Sequence, residues 1–163
     1  MLPWAKHSVV RTFDMTIDRE ALATPEQLFG ELSCPTRWPD NVGSVLGVSE
    51  SDPTPNGQLC WNVEAGVKIG PFRKATIIRL ARTEYVVEKR VMFERIGANE
   101  SNGEHAALQF SVDLDTLGPR GAQPLTRVRA RLVFAGSLPP GLEGLIRNEI
   151  EKTIAKLSRA FAI

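Results

Sequence analysis

The chain holds two histidines, His7 and His105, and two cysteines, Cys34 and Cys60. Neither histidine falls in a recognisable motif with a serine or cysteine nucleophile, and the sequence has no nucleophile elbow, HExxH, P-loop or GxGxxG pattern. The usual motifs of hydrolysis, metal catalysis and nucleotide binding are therefore missing, and neither a metal nor a cofactor is expected. The cysteines lack the CxxC spacing of a redox or zinc site. They read as two reduced, packed thiols with no structural disulfide.

Three ionisable residues remain as weak catalytic candidates: Lys89, Glu149 and His105. Lys89 lies in the alternation Tyr85, Val87, Lys89, Val91, Phe93 and so would share a strand face with apolar residues. Buried there, its ammonium would be desolvated, its pKa lowered, and it would serve as a cationic anchor for a ligand carboxylate or enolate. The plainer alternative is a strand-end lysine whose amine snorkels to water. Glu149 flanks the apolar stripe of the last helix; it is either a cavity acid and partner of Lys89 or one more solvated helix glutamate. His105 stands at the start of a strand, after a loop.

Arg127, Arg129 and Arg131 form a second feature, a basic stripe on the outer face of the last strand. Such a stripe would suit an acidic partner or a membrane surface. The favoured reading is a solvated sheet face with cross-strand ion pairs, since Glu88 and Glu94 share the outward parity. Trp61 reads as a core or cavity wall whose indole N–H needs a partner if buried. Gly141 and Gly144, at the start of the closing helix, suit either a gate or, preferably, close packing of helix on sheet.

At 163 residues the chain is one domain, spanning 1–163, large enough for a core and a modest cavity. Twenty Lys and Arg against nineteen Asp and Glu leave a formal charge of +1, which offers no field for a polyanion, so nucleic acid is not an expected partner. The start, MLPWAKHSVV, lacks the apolar core of a signal peptide, and no apolar run reaches the ~20 residues of a membrane helix. A cytoplasmic monomer or homodimer is expected.

Alternation in VVRTFDMTID gives a half-buried first strand, with Phe13, Met15 and Ile17 on one face. Thr24, Pro25 and Gln27 form a capping box that starts a helix through about Leu32, and Pro35 and Pro39 confine the next residues to a second short helix. Strands are then drawn at about 44–51, 57–67, 72–83, 85–96, 104–115 and 125–135, separated by Gly- and Pro-rich turns. At 72–83 the register is ambiguous, with Thr76, Ile78 and Leu80 preferred as the inward set. From Leu142 to Phe161 the apolar spacing becomes three-and-four, a helix of ~33 Å that can cross the whole sheet.

This order gives an α+β class, with a curved seven-stranded antiparallel sheet wrapped around a long C-terminal helix and two short helices between strands 1 and 2. The segment ATPEQLFGELSCPTRWPD after the first strand carries a small residue and proline (Ala23, Thr24, Pro25), apolar helix residues (Leu28, Phe29, Leu32) and an aromatic beside a proline (Trp38, Pro39). With the closing helix it resembles the START-like superfamily of polyketide cyclases and lipid-transfer proteins (SRPBCC), a helix-grip fold, over about residues 9–161. The Gly70, Pro71, Phe72 turn is weakly similar to the subunit-G-like branch associated with carbon monoxide dehydrogenase clusters.

The resemblance implies a cavity for a hydrophobic small molecule between the sheet and the last helix. Its expected lining is Trp61, Val91, Phe93, Phe110, Leu132, Phe134, Leu145, Ile146 and Ile150, with Trp38 at its mouth or plugging the sheet's end. A carrier of a lipid-like or polyketide-like molecule is the leading expectation. A cyclase or dehydratase using ionisable cavity residues, and an assembly factor with a filled core, are the alternatives.

Overall fold

The computed structural model describes residues 11–69, 72–97, 107–136 and 141–163. In chain order the elements are β1 (Arg11–Ala21), α1 (Pro25–Leu32), a 3₁₀ turn (Pro35–Arg37), α2 (Trp38–Asn41), β2 (Val45–Ser51), β3 (Cys60–Ile69), β4 (Phe72–Val86), β5 (Arg90–Arg95), β6 (Ala107–Thr116), β7 (Thr126–Gly136) and α3 (Leu142–Phe161). Strands β2 to β7 form an antiparallel meander, and β7 then pairs with β1, giving the order β1-β7-β6-β5-β4-β3-β2. The curved sheet holds α3 against its concave face. No helix among the described residues is long and apolar enough to cross a membrane.

Local chemistry explains the first turns. Thr24 N–H donates to Gln27 Oε1 at 2.9 Å and Gln27 N–H donates to Thr24 Oγ1 at 3.1 Å, closing the capping box that the sequence spells. α1 then buries Leu28, Phe29 and Leu32. The prolines after it turn the chain back so that Trp38 enters the core, where its indole N–H donates to Leu32 O at 3.1 Å. Alternation does the rest: Met15 and Ile17 pair across from Leu132 and Ala130, and all four are buried. Ile78 packs on the core opposite Val63 while Ile77 is 67% exposed, which settles the β4 register in favour of the Ile78 set.

The β4–β5 hairpin departs from expectation. The strands run on to Val86 and resume at Arg90, so the reversal falls on 87–89 and not near residue 84. Glu88 takes a left-handed φ of 62°, and Lys89 N–H donates to Val86 O at 3.0 Å. No glycine, proline or asparagine marks this turn, and its valine reads as strand. A bulge between Arg82 and Glu84 adds a further shift, so that Arg82 and Tyr85, three residues apart, reach the same face. The strand expected from residue 57 begins at Cys60, so Leu59 precedes β3 and is 47% exposed.

On the convex face the arginine stripe is paired, as expected, but with different carboxylates. Asp18 accepts from Arg127 Nε at 2.8 Å and from Arg129 Nη2 at 3.3 Å, and Asp14 accepts from Arg131 Nε at 2.9 Å. Glu88 is in the turn, and Glu94 accepts from Gln109. Hydrogen bonding from Arg127 above all, with Arg129 adding to it, lowers the Asp18 pKa from 3.8 to about 2. Asp14 is lowered for the same kind of reason, through Arg131.

A depressed carboxylate stabilises the fold above its unfolded pKa, and that contribution disappears as pH falls through the folded value. The wild-type advantage over Asp18→Asn in urea midpoint is therefore expected to be full at neutral pH and to vanish between 3.8 and about 2. These charges are exposed, so added salt should shrink the advantage at every pH. An advantage that persists below that window would exclude the pairing as its source.

Candidate functional site

The concave face has two unequal halves. Toward α1 it is closed: Phe93 is 0% exposed, and Val91, Val112, Leu114, Val128, Ile154 and Leu157 are buried around it. Trp38 meets Phe93 edge-on at 5.0 Å between ring centroids and Phe110 at 6.2 Å, while Trp61 meets Phe93 at 6.0 Å. These T-shaped contacts make one aromatic wall across α2, β3, β5 and β6. With its N–H spent on Leu32 O, Trp38 is part of that wall.

Toward the other end, the side chains of the same face are half-buried. Leu108, Phe110 and Phe134 extend the concave rows, Phe13 stacks on Phe134 at 5.5 Å, and Ile146 and Ile150 descend from the first half of α3. Leu132 is buried between the two halves, and Leu145 is 45% exposed. The expected lining residues thus come from four strands and one helix, grading from a sealed aromatic floor to an apolar surface that water reaches.

α3 itself is fastened from Glu149 onward. Glu149 Oε1 accepts from Ser44 N–H at 2.7 Å, and Thr153 Oγ1 donates to Asn41 O at 3.3 Å, tying the helix to the end of α2 and to the residues before β2. On its other side, Ser158 Oγ accepts from Leu22 N–H at 2.8 Å, and Glu151 pairs with Arg19 at 3.0 Å. Residues 142–148 carry no such described fastening. Gly141 caps the helix at φ 86°, which demands glycine, but a Cβ at Gly141 or Gly144 would meet nothing within 4 Å. Close packing is therefore not the role of these glycines, contrary to expectation, and nothing in the structure explains Gly144.

Glu149 is a strut, not a free acid. Glu149→Ala is expected to cost about 1–3 kcal/mol in urea unfolding, because Ser44 N–H loses a charged acceptor, while Glu149→Gln keeps most of the stability. Equal losses in both variants would contradict that role.

Of the three acid–base candidates, the two described ones, Lys89 and Glu149, are not brought together. Lys89 is exposed in the hairpin turn, at the closed end, and is not buried with Val91 and Phe93 as the alternation suggested. Glu149 serves the 44 position, and His105, like Gly70 and Pro71, lies outside the described residues. Among the described residues no cluster of His, Cys, Asp and Glu has metal-binding geometry, and Cys34 and Cys60 carry free thiols. A hollow of about 440 Å³, lined by Asp18, Arg19, Glu20, Leu117 and Arg127, is charged and open to solvent, away from this site.

Sequence alternation misses one arrangement. The Arg82 guanidinium lies 3.9 Å over the Tyr85 ring and 5.4 Å from Trp61, with Nη1 donating to Ser33 O at 3.4 Å. This stacked cation joins the hairpin to the end of α1. Only the bulge makes it possible, and no residue pattern announces the bulge.

No known family pattern matches the chain, and no curated protein matches it in sequence. Solved structures do. A START superfamily protein from Mycobacterium smegmatis superposes with a TM-score of 0.62 at 14% identity, covering 88% of this chain and 92% of that one. The di-domain ARO/CYC StfQ from the steffimycin biosynthetic pathway gives 0.62 at 12% identity, covering 93% of this chain and 50% of the other. Truncated norcoclaurine synthase from Thalictrum flavum gives 0.59 at 9% identity, covering 93% and 94%. A long closing helix gripped by a curved seven-stranded sheet, with two short helices after its first strand, is thus the START-like helix-grip fold, and this chain has it.

Proposed function

We propose that the protein is a binding or carrier domain that holds an apolar or amphipathic small molecule between the concave sheet face and the first half of α3. The observation that carries this reading is the gradation of burial. A face built only to fill a core would seal Phe110, Phe134, Leu108, Ile146 and Ile150 as it seals Phe93, yet these stay half-buried around the wall. Covering them with a ligand returns roughly 25 cal/mol per Å² of apolar surface removed from water. The protein would act in the cytoplasm, as a monomer or homodimer.

The competing enzyme reading draws support from the similarity to StfQ and to norcoclaurine synthase. It requires ionisable groups converging on the cavity, whereas Lys89 is exposed in the hairpin turn and Glu149 holds Ser44 N–H. Native mass spectrometry of freshly purified protein tests the carrier reading. A co-purifying mass of a few hundred daltons, released on denaturation, is the expected result; repeated absence from several expression hosts would count against it.

A further inference from the structure

A charged residue sits within the apolar row at the half-buried end of this face, apart from Arg82, which is stacked at the closed end. The alternation that points Val91 and Phe93 inward continues to Arg95, which pairs across from Leu80 on β4. On the β6 side the register reaches Glu94–Gln109, so the next step sets Arg95 opposite Leu108, which pairs in turn with Phe134, itself paired with Phe13. The resulting cross-strand row is Leu80, Arg95, Leu108, Phe134, Phe13. It runs along the half-buried end of the face, and Arg95 is its single charge.

Several other arginines on the described strands have partners. Arg79 donates to Ser51 and Asp52, Arg82 stacks on Tyr85, Arg90 holds Glu84 and Asp113, and Arg127, Arg129 and Arg131 hold Asp18 and Asp14. Arg95 is half-buried and forms no ion pair with any described carboxylate. The neighbouring Glu94 points to the opposite face, where Gln109 Nε2 donates to it. A hollow of about 320 Å³ at these strand ends is lined mostly by Glu94, Ile96, Ala107, Gln109, Val133 and Ala135, whose parity is outward, so it opens on the convex side and is separate from the face that Arg95 shares with Phe93.

We infer that Arg95 is an anion anchor and that the ligand is an amphipathic acid: an apolar body against Phe110, Phe134 and Ile150, with a carboxylate, sulfonate or phenolate directed to the guanidinium. The inference rests on the carrier reading and sharpens it. A guanidinium partly stripped of water beside apolar neighbours gains most from an anion, and a carboxylate or sulfonate, with two or more oxygens, can accept two parallel N–H bonds from its fork. Such an anchor also fixes orientation, because the rest of the row offers no polar contact. A neutral ligand of the same shape would give the cation no such pair.

The test uses two fluorescent probes with one aromatic body: 8-anilinonaphthalene-1-sulfonate, which is anionic, and N-phenyl-1-naphthylamine, which lacks the sulfonate. The full chain is expected to bind both, and Arg95→Met to weaken the sulfonate probe by about tenfold or more while leaving the neutral probe within about twofold. Arg95→Lys should fall between. Added salt should weaken the sulfonate probe on the wild-type protein and spare the neutral one, a measurement that needs no variant to fold.

Equal loss of both probes in Arg95→Met, or no change in either, overturns the anchor and leaves the carrier reading standing. So does salt-independent binding of the sulfonate probe to the wild-type protein. Failure of both probes to bind the wild-type protein removes the carrier reading and the anchor with it.

Discussion

Phe93→Ala is expected to lower unfolding stability by about 3–5 kcal/mol, the largest single effect of a core truncation in this chain. The ring is 0% exposed and receives the edges of Trp38 and Trp61 at 5.0 and 6.0 Å, so its removal leaves a cavity bounded by rigid aromatics on two sides. Neither indole can collapse into the space easily, because Trp38 is held by its bond to Leu32 O and Trp61 by its place in β3. Domains of this size hold only about 5–15 kcal/mol in total, so the variant should unfold at far lower urea concentration. Phe93→Leu should lose much less, and near-equal midpoints for wild type and Phe93→Ala would show that the wall is not the core's centre.

Phe134→Asp is expected to spare the fold and abolish retention of an apolar ligand. Phe134 is half-buried, stacked on Phe13 at 5.5 Å, and lies at the end of the face where water already reaches, so a carboxylate there keeps much of its hydration. A ligand covering that position would have to strip the charge of water and would lose the contact of a buried ring, about 1.5–3 kcal/mol, hence tenfold weaker binding at least. Phe110→Asp, closer to Trp38, should cost both binding and stability. Thermal melts and N-phenyl-1-naphthylamine titration of the two variants separate these effects. A native-like Phe134→Asp with undiminished probe binding would place the ligand elsewhere.

The sheet and the closing helix are legible in the sequence because their periods are plain. Leu108, Phe110, Val112 and Leu114 alternate without a break, and Leu142 to Phe161 repeats at three and four. The clasp after β1 is legible because capping and proline chemistry are local. The hidden features depend on irregularity: the 87–89 turn has a strand-like valine and a left-handed glutamate, so the alternation runs straight through it and expects a buried Lys89 where the residue is exposed. The Arg82–Tyr85–Trp61 stack needs a bulge that no residue type specifies.

Arg95 differs, since its signal is present in the sequence. It stands two residues beyond Phe93 in an unbroken inward alternation, but the same series contains Lys89, which the alternation makes the more central candidate for a buried cation. Glu149 can be placed on its helix but not assigned its partner, because Ser44 lies 105 residues away in sequence.

The pairing of β1 with β7 has a consequence for how the chain acquires this shape. Six strands can be laid down hairpin by hairpin, but β1 has no neighbour until residues 126–136 exist, more than a hundred positions later. Closing that loop is a single entropic step that local contacts do not reward, which places the domain among slow, high-contact-order folders. Until then Met15 and Ile17 remain uncovered on an unpaired strand edge, and the nascent chain is at its most prone to aggregate. α3, arriving last, packs on β1 and completes the core.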